Sequence, residues 1–302
     1  MFGDPYGDAK AAALVDQAAR AEDLARRQPA LPRCIPSSHA RSWYLLAVTS
    51  PATLTTVPDA DADAVVLDIE DGVDDLRKPI ARRTVAAWLN ECGRAWVRIN
   101  PVGTEFWDAD CAELHGADGL IGVVLAKTES AEQVEATAAR LPGVPIIPLI
   151  ESALGIERAF EIARATGVAR LAFGSGDFRR DTGMAATDEA MRYPRAQLTM
   201  ASRAVDLPGP IDGPATAADE DGRRAQTRAA AELGMSGKLC LDVAHAVGID
   251  ECLTPTSAEV AWAQEQLDAF EAAGRVIRDG SDKPRLAQAE RIRELAQIYG
   301  LG

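Results

Sequence analysis

Ile147-Pro-Leu-Ile-Glu151-Ser152-Ala153 and Leu171-Ala-Phe-Gly-Ser-Gly-Asp177-Phe178 decide the reading of this chain. In each, an apolar run stops abruptly at a carboxylate. The two acids lie 177 − 151 = 26 residues apart, about one strand plus one crossover helix. A parallel barrel sets successive strand ends side by side at such intervals. Two carboxylates at neighbouring strand ends make a hard, oxygen-lined site that suits Mg²⁺. The plain alternative makes Glu151 a cap for the following helix and leaves Asp177 in a solvated turn. The glycines around Asp177 weigh against it.

Working outward, short runs rich in Val, Ile and Leu alternate with polar, Ala-rich helical stretches from Ala40 onward. Strands are predicted near Trp43–Val48, Ala64–Ile69, Ala95–Ile99, Ile121–Ala126, Ile146–Ile150, Arg170–Phe173, Ala204–Ile211 and Lys238–Leu241. Eight such βα steps predict an α/β fold, a (β/α)₈ TIM barrel spanning residues 41–253. A doubly wound open sheet is the alternative, but no Gly-rich phosphate loop follows the first strand. Residues 1–40 read as an N-terminal arm: a helix over Asp8–Arg27, then a linker over Gln28–Ser38 with three prolines. Residues 254–302 read as a C-terminal helical extension. It comprises a helix over Thr256–Glu271, a polar turn region over Gly274–Pro284, and an amphipathic helix over Arg285–Tyr299.

Composition narrows the function. The 302 residues allow a sizeable core, and a net charge of −14 disfavours nucleic acid as a partner. Arg98, Arg179 and Arg180 could still bind a small anion. No apolar run approaches a membrane span. The polar, acid-bearing N-terminus does not resemble a secretory signal. Five scattered cysteines lack metal-ligand spacing and argue against a disulfide scaffold. A cytoplasmic location is therefore expected. The three histidines, His39, His115 and His245, share no helix face, so zinc is disfavoured. No Gly-x-Ser-x-Gly elbow supports a hydrolase triad.

The strand ends supply the chemistry. The second ends in Asp68-Ile-Glu70-Asp71, the third in Arg98-Ile-Asn100, the fourth in Lys127, the fifth in Glu151 and the sixth in Asp177. Acids and cations gathered on one rim are tolerated when paired or bound to a metal. A metal with an anionic substrate would balance this set; rim salt bridges without chemistry are the bland account. Lys127 could also act as a Schiff-base nucleophile, though neighbouring acids would keep it protonated.

Several segments then occur in order: Arg41-Ser-Trp, Val65-Val-Leu-Asp-Ile-Glu70-Asp71-Gly72, Val97-Arg98-Ile-Asn100, Ala126-Lys127-Thr-Glu-Ser130 and Ile150-Glu151-Ser-Ala. Phe173-Gly-Ser-Gly176-Asp177-Phe178, Tyr193-Pro-Arg195, Pro210-Ile-Asp212-Gly, Gly237-Lys238-Leu and Thr254-Pro-Thr follow. Together they resemble the citrate lyase β-subunit-like proteins of the HpcH/HpaI aldolase superfamily, which includes malyl-, citramalyl- and citryl-CoA lyases. The resemblance implies a (β/α)₈ barrel that assembles as a homotrimer or hexamer. It implies Mg²⁺ held by Glu151 and Asp177, and substrate contacts from Arg98, Lys127 and Gly176. Glu70 and Asp71 would hold metal-bound waters or orient Arg98. It also implies an acid from the C-terminal segment of a neighbouring subunit, matched by Asp282 in Asp282-Lys283-Pro284. The expected reaction cleaves a short 3-hydroxyacyl-CoA into an acyl-CoA and an α-keto acid.

The chain departs from the family pattern at two loops and in the short segment Asp279-Gly280-Ser281 before Asp282. Leu46-Ala-Val-Thr-Ser50-Pro51 replaces Phe-Val-Pro-Gly after strand one, and Leu241-Asp242-Val243-Ala244 replaces Ile-His-Pro after strand eight. These changes open an alternative: a degenerate barrel that binds a metabolite or partner without turnover.

Overall fold

A computed structural model describes residues 35–91 and 93–301. The predicted helix over Asp8–Arg27 and the linker up to residue 34 lie outside the described residues. Eight strands form the centre: β1 (Ser42–Ala47), β2 (Ala64–Asp68), β3 (Ala95–Ile99), β4 (Leu120–Leu125), β5 (Ile146–Ile150), β6 (Ala172–Phe173), β7 (Ile211–Asp212) and β8 (Gly237–Cys240). They pair in chain order, and β8 closes on β1 through Ser42–Lys238, Trp43–Leu239 and Tyr44–Cys240. Every pairing is parallel, so the fold is a (β/α)₈ TIM barrel.

The crossovers carry α1 (Lys78–Glu91), α2 (Glu105–Leu114), α3 (Ala131–Arg140), α4 (Ala153–Glu157), α5 (Ala159–Ala163), α6 (Ser175–Thr182), α7 (Asp188–Arg203), α8 (Glu220–Glu232) and α9 (Ala246–Leu253). Thr104, Thr187 and Asp219 begin α2, α7 and α8 by accepting a hydrogen bond from an otherwise free first-turn N–H.

The strands are buried on both faces, which explains their near-continuous apolar character. Trp43, Val66, Trp96, Val124, Leu149, Ala172 and Leu239 fill the barrel interior. Trp43 and Trp96 meet edge to face there at 5.5 Å. Leu67, Val97, Ile99, Val123 and Leu125 point outward and join the helices in the larger core. Each such side chain contributes roughly 1.5–3 kcal/mol when fully buried. The two-residue period then aims the chemistry. Asp68 follows Val66 by two positions, Arg98 follows Trp96, and Glu151 follows Leu149. All three therefore face inward at the C-terminal mouth.

Three boundaries differ from the sequence reading by more than one residue. The predicted seventh strand over Ala204–Ile211 shrinks to Ile211–Asp212, because α7 runs to Arg203 and its end then turns back. Asp206 takes a φ of 58°, and Leu207 N–H returns to Ser202 O at 2.9 Å. Pro208 and Pro210 have no N–H for a ladder. The sixth strand loses Arg170 and Leu171, with the Arg170 side chain bonded to backbone carbonyls below the barrel. Finally, the last helix starts at Asp282, so Asp282–Pro284 are helical rather than part of a turn region. Pro284 falls in the first turn, where a missing N–H breaks no helix bond.

Beyond the barrel, α10 (Ser257–Ala272) and α11 (Asp282–Tyr299) form an antiparallel hairpin with a small core of Ala263, Leu267, Ala289 and Ile292. Thr256 and Glu259 start α10 with a reciprocal capping box. Both ends of the hairpin meet Arg41, just before β1. Its guanidinium bonds Thr254 and stacks over the Tyr299 ring at 4.1 Å. The hairpin is thus rooted at the N-terminal end of β1, and Asp282 lies a helix length, about 27 Å, from that root. Among the described residues no helix is long and apolar enough to cross a membrane.

Candidate active site

The mouth is built around Asp68. Its carboxylate accepts a two-pronged bond from Arg98, Nε at 2.8 Å and Nη2 at 2.6 Å. It also accepts the N–H groups of Glu70 and Gly72 at 2.9 and 3.0 Å. Asp68, Glu70 and Arg98 therefore form one unit. A planar guanidinium locked on a carboxylate fork has one direction left to present to a ligand. Glu70 and Asp71 are expected to hold metal-bound waters or orient Arg98; the two-pronged bond to Arg98 comes from Asp68, while Glu70 Oε2 stands 3.4 Å from Arg98 Nη1 with no hydrogen bond reaching that oxygen.

Lys127 joins this unit to the next strand end. Its Nζ bonds Glu70 Oε1 at 2.6 Å and Asp71 Oδ2 at 2.9 Å. Its backbone N–H bonds Glu151 Oε1 at 2.7 Å, from a left-handed φ of 49°. Such a conformation in a non-glycine residue is strained and is kept only where the surroundings impose it. Burial opposes the charge on Lys127, but its two carboxylate partners outweigh that and raise its pKa. The ammonium is thus already committed to two acids of the chain, which disfavours Schiff-base chemistry.

Glu151 ends β5 and is nearly buried. Ser152, not Glu151, caps the following helix by accepting Gly155 N–H at 3.1 Å. Burial pushes the Glu151 carboxyl up to about 8; the Lys127 N–H opposes this, and the neighbouring Asp177 charge adds to it. Gly174 gives Glu151 its room, since a β-carbon at 174 would come within 2.3 Å of Glu151 Oε2. Asp177 sits in the first turn of α6, one quarter exposed, with the far more exposed Arg180 at 3.3 Å. Gly176 precedes it with open space beside its α-carbon.

These residues fit a divalent cation. The Asp177 charge adds to the cost of ionising buried Glu151, and a bound cation would remove that cost. Among the described residues no three His, Cys, Asp or Glu side chains converge on one point. Two neighbouring carboxylates suit Mg²⁺, which keeps several waters.

A second buried network, absent from the sequence reading, supports the first. Asp110 on α2 accepts Arg82 Nε at 2.6 Å, Asn100 N–H at 3.0 Å and Asn100 Nδ2 at 2.7 Å. Lys78 Nζ reaches Asn100 Oδ1 at 2.6 Å, and Asn100 Nδ2 holds Ile69 O. The network thereby fixes the loops that carry Glu70 and follow Arg98. On the opposite side, Asp212 is gripped by Arg195 at 3.0 Å and by Lys238.

Comparison with known proteins places the chain. The family model described as HpcH/HpaI aldolase/citrate lyase matches residues 41–243, and the model for the HpcH/HpaI aldolase C-terminal domain matches residues 258–300. The chain belongs to the HpcH/HpaI aldolase/citrate lyase family. The L-malyl-CoA/beta-methylmalyl-CoA lyase of Rhodobacter capsulatus is 30% identical over 82% of this chain and 92% of that protein. A (3S)-malyl-CoA thioesterase of Cereibacter sphaeroides is 33% identical over 71% of this chain and 77% of its own. Among solved structures, the protein CitE from Mycobacterium tuberculosis in complex with magnesium, acetoacetate and coenzyme A superposes with a TM-score of 0.71. It is 26% identical, covering 86% of this chain and 99% of that one.

Within this family member, Asp68, Glu70, Arg98, Lys127 and Glu151 form one bonded set, with Asp177 beside Glu151. Asp282 stands apart. Its carboxylate accepts Arg278 N–H at 2.7 Å and, among the described residues, bonds none of that set.

Proposed function

We propose that this protein is a Mg²⁺-dependent carbon–carbon lyase that cleaves a short 3-hydroxyacyl-CoA, of the malyl-, citramalyl- or citryl-CoA type, into an acyl-CoA and an α-keto acid. The observation that carries the reading is the pairing of Glu151 and Asp177 beside an Arg98 locked onto Asp68. Glu151 and Asp177 would hold the ion, which when bound supplies positive charge for the carboxylate and adjacent oxygen of the keto-acid half. Arg98 would bind that carboxylate with the donors that Asp68 leaves free. In cleavage, the substrate hydroxyl loses its proton, the bond between the hydroxyl-bearing carbon and the thioester α-carbon breaks, and the α-carbon is then protonated. Arg98 would offset the negative charge that develops. Glu70 and Asp71 share the Lys127 ammonium, which offsets part of their charge at the rim.

Asp282 would serve as the proton donor to the α-carbon, presented by the hairpin tip of a second copy of the chain. Its separation from the bonded set in its own chain supports this assignment, and it makes a homo-oligomer, trimer or hexamer, part of the reading. The test is direct: incubate the protein and Mg²⁺ with each of the three thioesters and follow the products. Acetyl-CoA with glyoxylate, pyruvate or oxaloacetate supports the lyase. No product from any of the three, with metal still bound, sinks it. The thioesterase among the relatives makes hydrolysis the second reading, and free coenzyme A with an intact hydroxy diacid would establish that instead.

A further inference from the structure

Asp177 reaches the mouth on a short support. It lies on α6, which follows the two-residue strand β6, and β6 meets β5 through Leu149–Ala172 and Ile150–Phe173. Two further contacts hold α6 against the end of β5. Phe178, 2% exposed, packs edge to face on Phe173 at 5.3 Å and seats the first turn. The other contact is Asp181. Its Oδ2 accepts the Ala153 N–H at 2.8 Å, and among the described residues no other hydrogen bond or ion pair reaches this exposed carboxylate. Among those residues no third acid converges with Glu151 and Asp177, so Asp181 is not itself a metal ligand.

The Asp181 bond joins the supports of the two acids. Asp181 follows Asp177 by 181 − 177 = 4 positions, on the same face of α6. Ala153 follows Glu151 by 153 − 151 = 2 positions. Its N–H belongs to the first turn of α4 and has no partner within that helix, so Asp181 satisfies a donor there. On the other side the same segment is fixed to the loop after β4. Ser152 Oγ donates to Glu129 Oε1 at 2.6 Å, and Gln133 Oε1 holds Glu129 N–H at 2.7 Å. We infer that Asp181 is a positioning residue for the metal site. It closes a frame from Asp177 along α6 to the Ala153 amide and back to Glu151, and so sets the gap between the two carboxylates. The inference rests on the Mg²⁺ reading above and adds a residue outside the ligand pair. Mg²⁺ demands near-octahedral ligands at about 2.0–2.1 Å, whereas Ca²⁺ takes longer and more variable bonds. A frame that fixes the gap therefore tunes which cation the pair prefers.

The experiment is a calorimetric titration of the full-length protein with MgCl₂ and, separately, CaCl₂, for wild type, Asp181→Ala, Asp181→Asn and Glu151→Ala. Alanine removes the acceptor. Asparagine keeps an oxygen for the Ala153 N–H and removes the charge, so it separates positioning from simple attraction of the cation. Asp181 is exposed, so neither change opens a cavity, and thermal melts check that both variants fold. Asp181→Ala should bind Mg²⁺ about tenfold more weakly, and Ca²⁺ no more than about threefold more weakly. Asp181→Asn should stay within about threefold of wild type for both cations. Three results overturn the proposal: wild-type Mg²⁺ affinity in Asp181→Ala, equal losses for Mg²⁺ and Ca²⁺, or asparagine as damaging as alanine. The last would show that Asp181 acts through its charge. The two readings fail separately. Mg²⁺ binding that Glu151→Ala abolishes and Asp181→Ala leaves untouched removes the positioning role and keeps the metal site. No Mg²⁺ binding by wild type removes the metal site, and the role of Asp181 with it.

Discussion

Lys127 hydrogen-bonds Glu151 through its backbone N–H at 2.7 Å, and it does so from a left-handed conformation with φ of 49°. The strained backbone orients one carboxylate while the side chain pairs with two others. These roles separate by mutation. Lys127→Gly adopts the left-handed region freely, so Glu151 should stay oriented and Mg²⁺ affinity should hold within about threefold, or ~0.7 kcal/mol. The ammonium is gone, however, leaving Arg98 shared among Asp68, Glu70 and Asp71. Keto-acid binding in the presence of Mg²⁺ should weaken about tenfold, or ~1.4 kcal/mol. Calorimetry with Mg²⁺ alone and then with oxaloacetate reads both. A large loss for Mg²⁺ alone would show that the ammonium, not the backbone, orders Glu151.

Arg98 depends on its fork. Both prongs on Asp68 are short, 2.8 and 2.6 Å, and lysine cannot reproduce the planar pair. Arg98→Lys should keep the fold, since a cation remains near Asp68 and Glu70. Its kcat/KM on the best thioester should fall by about two orders of magnitude, ~2.7 kcal/mol. A fall confined to KM would assign Arg98 to ground-state binding, whereas an equal fall in kcat would place it at the developing charge.

Much of this was legible in the sequence, and the misses have physical causes. The strand-end acids were visible because apolar runs stop at them. Their partners were not. Asp68 lies within the apolar run and reads as an ordinary rim acid until β2 and β3 are paired and Arg98 stands beside it. For Lys127 the sequence shows acids nearby that keep it protonated, but not that the oxygens it holds belong to Glu70 and Asp71. Asn100 and Asp110 join only when α2 packs back on the mouth, ten residues later in the chain. The seventh strand failed for a local reason: Val205 and Leu207 have strand-forming side chains, but Pro208 and Pro210 deny the backbone its ladder.

At the opposite end of the barrel, Asp250 gives a pH dependence with a definite sign. Burial and the neighbouring Asp63 charge push its carboxyl up to about 6, while Arg41 at 3.5 Å opposes. The folded state therefore holds a proton that the unfolded chain has released between about pH 4 and 6. With fewer protons bound in the unfolded state, this group's contribution to stability falls as pH rises through that window. The side chain is 22% exposed, so the full-burial figure is reduced to about 1–2 kcal/mol. Asp250→Asn should raise the melting temperature at pH 7.5 and flatten its decline between pH 4 and 6. Thermal melts across that range decide it, and a parallel shift at every pH would show that the carboxyl does not titrate there.

Arg170 tests whether the two ends of the barrel divide their labour. The side chain is almost wholly buried below β6 and donates to Gly209 O at 2.6 Å, Ala40 O at 2.8 Å, Ser37 O at 3.1 Å and Ser236 Oγ at 2.9 Å. No carboxylate pairs with it among the described residues, and burial lowers its pKa. It ties together the segments that lead into β1, β6, β7 and β8, the stretch where β7 pairs with β6 through one residue pair and with β8 through two. Gly237 is small for this reason, since a β-carbon there would come within 2.7 Å of the guanidinium. Arg170→Ala strands several buried carbonyls and opens a cavity, a loss of about 3–5 kcal/mol. Urea denaturation should show that loss, while activity below the new unfolding transition stays close to wild type, because the N-terminal end of a barrel governs stability rather than chemistry. If activity collapses while the protein remains folded, the closure of β7 and β8 is coupled to the site at the mouth. Arg170 would then be a positioning residue for the chemistry as well as a clamp.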